Sequence, residues 1–386
     1  MNSTIPAVVD DIREQSVTAP PASQHKHLPA LDGLRGVAIL LVLVYHFTGS
    51  LNAEFSINQR LNNWAELGWT GVDLFFVLSG FLITGILYDS KTKPAFFKNF
   101  YARRALRIFP LYYGALLAVI LIRPVLVRLG LEGTANPAWI SIYATNFVIS
   151  WKGSGAFGVL DHFWSLAVEE HFYLIWPAVV YFLNRKQVMI VAIAFFLIAP
   201  ALRIMTMNGE EYLPIAAYMA TPMRMDSLAA GAFIALMVRG PKGMEGLLKP
   251  AMILACTTFA VFFAIVLIRH SKSNQDLVIG TVGLTVLWAF FGSVLILALN
   301  WKPLESLMQL PILRWFGKYS YGLYVWHPIV FMLAFHNHIA RQLRHGDGHL
   351  QMIATGTIAL ATVFVVTLLS WNLCEKQFLK MKSRFA

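Results

Sequence analysis

Two long stretches without a charged side chain constrain the fold of this chain more than any other feature. Residues 277–301 and 350–374 contain no Asp, Glu, Lys or Arg. A helix needs about 20 apolar residues to cross a bilayer, and it satisfies its own backbone hydrogen bonds there. The mean hydropathy of +0.60 extends the argument to the whole chain. We therefore expect an all-α polytopic membrane protein, surrounded by membrane lipid, with little sequence left for a soluble domain.

The hydrophobic pattern predicts about ten transmembrane helices around a polar cavity. They cover roughly residues 34–50, 70–88, 108–123, 163–183, 188–206, 215–238, 250–268, 277–299, 317–337 and 351–374. Residues 138–152 are apolar but short and are interrupted by Asn146. We expect this stretch to be re-entrant or to lie on the outer interface.

Basic residues predict the orientation in the membrane. The net charge is +11, but Lys and Arg in membrane proteins mark cytoplasmic loops, so no nucleic-acid partner is expected. Placing a basic loop at 89–107 inside puts both termini in the cytoplasm and residues 51–69 and 341–349 outside. This arrangement places 21 of the 31 Lys and Arg residues on the cytoplasmic side.

The domain organisation follows from these spans. We expect a disordered cytoplasmic tail over 1–28, a membrane domain over 29–376 and a basic cytoplasmic tail over 377–386. No signal-peptide pattern precedes Leu34, so the first span is expected to be an uncleaved anchor. Cys256 and Cys374 lie in apolar runs, which argues against a disulfide framework. No Cys/His spacing resembles a zinc site, so no metal is expected.

Two groups of ionisable residues inside the spans are candidates for catalysis. Arg35 and His46 are eleven residues apart, which places them on one helix face about 16 Å apart along the axis. Glu169 and Glu170 lie one turn into an apolar helix. Adjacent residues point about 100° apart, so we expect only one glutamate to face the site. Ionisable groups within spans are costly and usually serve a cavity or a partner.

Other polar residues extend these two groups. The predicted 89–107 loop carries Arg103, Arg104 and Arg107, and guanidinium forks suit phosphate. Positive-inside topology alone would also explain these arginines. Arg224 and Asp226 are close enough in sequence to pair with each other. The candidate cavity-lining residues are Asp73, Ser79, Trp164, Ser165, Tyr173, Arg224, Asp226, Tyr324 and His327.

Five blocks, taken in order, resemble the membrane-bound acyltransferase family 3, the bacterial integral-membrane O-acyltransferases of surface polysaccharides and related acceptors. The blocks are the Arg-x10-His spacing of Arg35 and His46, the Gly-Val-Asp-x-Phe-Phe-x-x-Ser-Gly-Phe segment that begins at residue 71, the Arg-x-x-Arg stretch within 100–110, the block 164–173 and the block 320–328. The resemblance covers nearly the whole chain. His171 stands where the family usually has Gln, and Gln377 where it often has Pro.

The resemblance implies an enzyme of the bacterial inner (plasma) membrane that transfers an acyl group, expected to be acetyl, from cytosolic acyl-CoA to a hydroxyl of a glycan, a lipid-linked sugar or a similar acceptor. The basic loop would bind the phosphates of acetyl-CoA, and the pantetheine arm would enter past Arg35. His46 would act as general base or carry the acyl group covalently, while Glu169 or Glu170 orients it. No permanently bound cofactor is implied.

Many relatives carry an extracytoplasmic esterase-like domain after the last helices. In this chain, transfer of the acyl group to the acceptor is expected to be completed either within the membrane domain itself or with a separate extracytoplasmic transferase or esterase partner. Two other classes of protein stay open. A proton-coupled transporter also uses intramembrane His, Glu and Arg, but it needs no acyl-CoA. A structural component of a cell-envelope complex would tolerate replacement of His46.

Overall fold

The computed structural model describes residues 28–55, 64–208, 213–335 and 348–385, and they are helical with no strand. Most of the predicted tail at 1–28, and parts of the loops 51–69 and 341–349, lie outside these ranges. The α-helices are α1 (Pro29–Phe55), α2 (Gly71–Ser90), α3 (Phe96–Leu121), α4 (Arg123–Leu129), α5 (Ala138–Ser141), α6 (Thr145–Lys152), α7 (Trp164–Phe182), α8 (Arg185–Asn208), α9 (Pro214–Met219), α10 (Met225–Val238), α11 (Leu248–Arg269), α12 (Leu284–Asn300), α13 (Lys302–Met308), α14 (Pro311–Phe335), α15 (Gly348–Ser370) and α16 (Lys376–Lys380).

Short 3₁₀ and π segments join several of these helices. Glu66–Thr70 leads into α2, Gly158–Phe163 into α7, Thr221–Met223 precedes α10, and Ile279–Gly283 leads into α12. Trp371–Glu375 connects α15 to α16, and Met381–Phe385 follows α16.

The expectation of an all-α polytopic membrane protein is confirmed. Seven helices in the described ranges are long and apolar enough to cross a membrane: α1, α2, α3, α8, α11, α12 and α15. Helices α7, α10 and α14 occupy the other three predicted spans. Helix α10 has only 14 residues. Helix α7 carries two glutamates, and α14 carries an arginine and a lysine, and each also has tyrosines and a histidine that lower its hydropathy.

Two predicted boundaries are wrong. The basic stretch expected as a loop at 89–107 is helical from Phe96, so its arginines lie on the first turns of α3. The span predicted at 215–238 is broken, because α9 ends at Met219 and α10 starts at Met225. Pro222 lies in this break, and proline interrupts a helix by removing a backbone donor. Residues 138–152 form the short helices α5 and α6, neither of which is long enough to cross.

Two glycines bring helices α2 and α10 into close contact. A Cβ atom on Gly80 of α2 would collide with the carbonyl of Leu228, and one on Gly231 of α10 would collide with the carbonyl of Val77. Without a side chain at either glycine, the two backbones touch, as is common between membrane helices.

Helices α1 and α14 pack together along their length and run in the same direction. Gly317 lies against the backbone of Asp32 at one end, and His327 lies beside His46 at the other. We call these two ends of the bundle the Arg35 end and the His46 end.

Candidate active site

A cavity of about 830 Å³, counting its open mouth, lies among helices α1, α2, α3, α7 and α14. Its apolar wall includes Val72, Phe75, Phe76 and Leu166. The polar residues that line it are Arg35, Ser79, Arg104, Arg107, Ser165, Glu169, Glu170, Tyr173, Ser320, Tyr321 and Tyr324. Most of these residues are among the candidates predicted from the sequence, and the fold brings them together around one cavity.

Guanidinium groups gather at one part of this cavity. Arg35 of α1 faces Arg104 and Arg107 of α3, which lie on the same helix face because they are three residues apart. The Arg104 guanidinium lies over the ring of Tyr173, 5.5 Å from its centroid. Lys382 of the last 3₁₀ segment, which packs against α3, adds a further cation within electrostatic range of these arginines.

A chain of hydroxyl groups holds one of the two glutamates. Tyr173 donates a hydrogen bond of 3.2 Å to the Oγ atom of Ser79, and Ser79 donates to the carboxylate of Glu169. Ser79 comes from α2 and the other two residues from α7, so this chain ties the two helices together. Glu169 is therefore fixed in position at the cavity wall.

Both glutamates line the cavity, so the expectation that only one would face it is wrong. The groove is wide enough to receive side chains that leave the helix about 100° apart. The Oε1 atom of Glu170 is buried without a hydrogen-bond partner among the described residues. A buried polar atom without a protein partner is rare in a native structure, so this oxygen is placed to accept a hydrogen bond from a group in the cavity.

The cavity ends at a pair of hydroxyl groups. The hydroxyl groups of Tyr324 and Ser165 lie 2.5 Å apart and share a hydrogen bond, and both lie within reach of the backbone carbonyl of His162, at 3.0 Å from Tyr324 and 3.4 Å from Ser165. His162 lies in the 3₁₀ segment before α7. This pair separates the open space from the histidines beyond it.

Three histidines cluster beyond the Ser165–Tyr324 pair, at the His46 end of the bundle. The Nδ1 atom of His46 lies 3.3 Å from Nε2 of His327. The ring of His162 lies 5.9 Å from that of His327, centroid to centroid. His46 and His327 do not line the cavity itself. They lie next to its inner end, because His327 follows Tyr324 by one helical turn.

The segment before α7 is fixed by Asp161, which lies outside the membrane-spanning helices. Its carboxylate accepts hydrogen bonds from the backbone N–H groups of Phe157, at 2.7 Å, and of Gly155. Burial raises the pKa of Asp161, and these two hydrogen bonds oppose that rise. The turn they close holds His162 in place beside α14.

Besides His327, four candidate cavity residues lie outside the cavity, three of them in a closed charge network. Arg224 donates to Asp73, and Arg203 donates to Asp226 at 2.7 Å, with all four side chains fully buried. The suggested pairing of Arg224 with Asp226 is therefore wrong, because each finds a partner on another helix. The fourth is Trp164, which is buried against aromatic rings of α2 and α9.

Arg103 also does not line the cavity, although its neighbour Arg104 does. Adjacent helical residues face different directions. His171, which departs from the family pattern, hydrogen-bonds the Thr221 hydroxyl at 2.7 Å and stacks on Phe147. It makes a structural contact rather than lining the cavity.

Five residues of the cavity, the histidine cluster and the charge network were not among the predicted site residues. Arg203 and Lys382 had signals, since one is a lone charge in an apolar run and the other belongs to a basic cluster. His162, Ser320 and Tyr321 lie inside recognised blocks but had no spacing that set them apart. Among the described residues, no group of three or more His, Cys, Asp or Glu side chains could hold a metal ion.

The fold and the cavity define a class: a multi-span helical membrane protein with an internal site of guanidinium, carboxylate, hydroxyl and imidazole groups. A family model described as an acyltransferase domain matches residues 28–373. The chain belongs to this acyltransferase family, which confirms the resemblance found in its sequence blocks.

Curated relatives give the same result. The chain is 31% identical to the peptidoglycan O-acetyltransferase OatA of Listeria monocytogenes, over 79% of this chain and 50% of the relative. It is 30% identical to the putative peptidoglycan O-acetyltransferase YrhL of Bacillus subtilis, over 80% and 49%. It is 28% identical to the O-acetyltransferase OatA of Staphylococcus aureus, over 79% and 51%. The chain thus spans about half the length of these relatives. No solved structure gives a significant match.

Proposed function

We propose that this protein transfers an acetyl group from cytosolic acetyl-CoA to a hydroxyl group of a glycan or lipid-linked sugar in a bacterial plasma membrane. One observation carries the proposal. A single cavity joins the guanidiniums of Arg35, Arg104 and Arg107 to the two glutamates, and it ends beside the pair His46 and His327. A charged donor and a proton-accepting group can therefore meet within one bundle.

The guanidinium group suits the phosphates of coenzyme A. Arginine forks bind phosphate oxygens in pairs and hold their charge at any physiological pH. Arg35 and His46 lie about 16 Å apart along α1, which is a distance that an extended pantetheine arm can span. A thioester held by its phosphates at the arginines would therefore reach the inner end of the cavity.

The histidine pair suits the transfer step. His46 takes the proton of the acceptor hydroxyl while the oxygen attacks the thioester carbonyl. The C–O bond forms, the C–S bond breaks, and the thiolate of coenzyme A receives the proton from His46. A covalent acyl-histidine would use the same imidazole as nucleophile. Glu169, fixed by Ser79, supplies negative charge along the path.

The acceptor is proposed to be a cell-envelope glycan. Two of the relatives are named for peptidoglycan, and the histidine pair lies at the end of the bundle away from the arginines. Acetyl groups would leave either directly to an acceptor at the outer surface or through a separate extracytoplasmic transferase or esterase.

The proposed reaction needs the arginine end of the bundle in the cytoplasm, and 21 of 31 basic residues support that orientation. The test introduces Lys93→Cys into a chain without Cys256 and Cys374. An impermeant thiol reagent added to intact cells should leave this cysteine unlabelled and label it after lysis. Labelling from outside the intact cell would contradict the orientation.

The activity is tested with purified protein in lipid nanodiscs, given acetyl-CoA and a panel of hydroxyl acceptors. Release of coenzyme A and acetylated product, read by mass spectrometry, should depend on His46 and stop in a folded His46→Ala variant. His46→Gln should not restore it, because an amide does not accept a proton near neutral pH. Cells with and without the protein should differ in the O-acetylation of a surface glycan. A folded His46→Ala protein with near wild-type turnover would contradict the proposed chemistry.

A further inference from the structure

We propose that His327 is a positioning residue that, together with the backbone carbonyl of Val42, holds the proton of His46 on Nδ1 and so leaves Nε2 of His46 as the reacting atom. The inference rests on the proposed role of His46 in acyl transfer. It adds a second histidine to the proposed transfer step, and it can be tested without measuring turnover.

The geometry of the two rings carries this inference. The Nδ1 atom of His46 lies 3.0 Å from the carbonyl oxygen of Val42 and 3.3 Å from Nε2 of His327. The Nδ1 atom of His327 lies 2.8 Å from the carbonyl oxygen of Leu323. Each ring therefore points its Nδ1 at a backbone carbonyl one turn earlier in its own helix.

Carbonyl oxygens only accept hydrogen bonds, so they decide which nitrogen carries the proton. His327 must be protonated at Nδ1 to donate to Leu323, and its Nε2 then has a lone pair. His46 must be protonated at Nδ1 to donate to Val42. The same N–H points at the lone pair of His327, which accepts it in a shared hydrogen bond.

The opposite assignment is unfavourable. A proton on Nε2 of His327 would be directed at His46, but both Nδ1 lone pairs would then face carbonyl oxygens at 3.0 Å or less. A doubly protonated His327 would need a nearby anion. The rings against it belong to His46, His162, Tyr324 and Phe331, and none of them is a carboxylate.

The assignment leaves the Nε2 atom of His46 available. Both hydrogen bonds of this ring within the described ranges are made by Nδ1, and His46 is only partly buried whereas His327 is fully buried. During transfer Nε2 takes the hydroxyl proton and later gives it up. The proton on Nδ1 stays in place. The positive charge that the His46 ring then carries is stabilised by the carbonyl oxygen of Val42 and the imidazole of His327, which both accept from Nδ1–H. The neutral imidazole of His327 thus accepts the Nδ1–H of the base, as the carboxylate does in the Ser-His-Asp arrangement.

The direct test is the tautomer of His46 in the full chain. Protein labelled with ¹⁵N in its histidine side chains is purified in nanodiscs without substrate, and the His46 signals are identified by their loss in His46→Gln. The expected result is a protonated Nδ1 and an unprotonated Nε2 on His46. A resting protein with the proton on Nε2 of His46 would overturn the proposal. This result stands or falls independently of whether acetyl-CoA is the donor.

The kinetic test compares two substitutions of His327. His327→Phe removes the acceptor, and His327→Gln keeps an oxygen that can accept the Nδ1–H of His46. Losing the orienting carboxylate of a catalytic triad costs about 10⁴-fold in kcat, and a neutral partner predicts less, roughly 10- to 100-fold for His327→Phe. The KM for acetyl-CoA should not change, and His327→Gln should recover most of the loss.

Thermal unfolding of each variant shows that the protein is folded, and His270→Asn serves as control because His270 is exposed in the turn after α11. The control should leave both the His46 tautomer and kcat unchanged. A folded His327→Phe protein with wild-type kcat would overturn the proposal. So would a His327→Gln protein as slow as His327→Phe. If His327→Phe fails to fold, His327→Leu replaces it in the same comparison with His327→Gln, because the wild-type tautomer is also favoured by the carbonyl of Val42.

Discussion

The protein holds charged side chains between its helices in two contrasting ways. In the closed network, Asp73 pairs with Arg224 and Arg203 pairs with Asp226, and no part of these side chains is exposed. In the cavity, charged groups face open space. Helix α2 contributes to both regions, with Asp73 in the network and, two turns later, Ser79 at the cavity wall.

The difference shows how to interpret a charge inside a membrane protein. A buried cation and anion in contact neutralise each other, so removing one of them leaves a costly unpaired charge. In the cavity, Arg104 and Arg107 have no ion pair among the described residues. Unpaired cations that face a space indicate a ligand of opposite charge, whereas paired ones indicate a structural role. Substitutions should therefore separate the two regions into one that affects folding and one that affects binding.

The largest effect is expected for Arg224→Met in the closed network. The variant leaves Asp73 buried without a partner, which should lower the free energy of unfolding by about 3–5 kcal/mol. It also removes the contacts of the guanidinium with the rings of Phe76 and Tyr218. Thermal unfolding in detergent measures the loss. The double variant Asp73→Leu/Arg224→Met should recover most of it, and a single variant as stable as wild type would contradict the structural role.

The next effect is expected at the arginines of the cavity. Charge-assisted hydrogen bonds contribute about 1.5–3 kcal/mol each, so Arg104→Ala should weaken acetyl-CoA binding about 10- to 100-fold. Arg107→Ala should do the same, and lysine at either position should restore binding only in part, because it lacks the paired donors. Calorimetry on purified protein measures the affinity.

Arg128→Ala is the matched control, since Arg128 is an exposed arginine at the end of α4. It should bind acetyl-CoA as wild type does. Unchanged affinity in the Arg104→Ala/Arg107→Ala double variant would remove the donor-binding role and weaken the distinction between paired and unpaired charges.

A smaller effect is expected for Ser79→Ala. The variant removes the hydrogen bond that fixes Glu169, a net loss of about 1 kcal/mol, which corresponds to about a fivefold fall in turnover. Ser293→Ala is the control, because Ser293 is a buried serine of α12 whose hydroxyl, within the described ranges, bonds the backbone carbonyl of Ala289 in its own helix. Coenzyme A release measures both. Equal turnover in Ser79→Ala and wild type would show that the hydroxyl chain does not support the reaction.

The smallest effect is expected outside both regions, at the pair formed by exposed Arg269 and partly buried Asp276. Partial burial opposes ionisation of Asp276, but hydrogen bonds from Arg269 and from the N–H groups of Val278 and Ile279 outweigh it and lower the pKa of Asp276. A lowered pKa gives stability that is present above the ordinary value, about 4, and is lost as the pH falls through the folded value.

The melting temperature of Asp276→Asn should therefore lie slightly below that of wild type at pH 6, and the gap should close near pH 3. A gap that stays constant over this range would show that the charge of Asp276 contributes nothing. Because Arg269 is exposed to solvent, added salt should also reduce the gap.

The sequence predicted the helices and the family well, because both depend on local signals. Apolar runs define the helices, and the spacing of Arg35 and His46 is set by one helix. The sequence could not show that Arg224 pairs with Asp73, because that pairing depends on the close approach of α2 and α10. Nor could it show that two adjacent glutamates share a groove, since the width of the groove depends on which helices surround it.

The position of His327 illustrates the same limit. His327 was predicted to line the cavity, and the structure places it beyond the cavity, against His46. Contacts between residues 281 positions apart leave no periodic pattern in a single sequence. Only the packing of α1 on α14 brings the two rings together.

These sequence separations have a consequence for how the protein is made. Asp73 and its partner Arg224 are 151 residues apart, and chains are synthesised at about 5–20 residues per second, so a nascent α2 exists for roughly 8–30 s before Arg224 is translated. During that time Asp73 is a carboxyl group without its cation. The contact between α2 and α10 is therefore one that can form only late in synthesis, after 224 of the 386 residues have been translated.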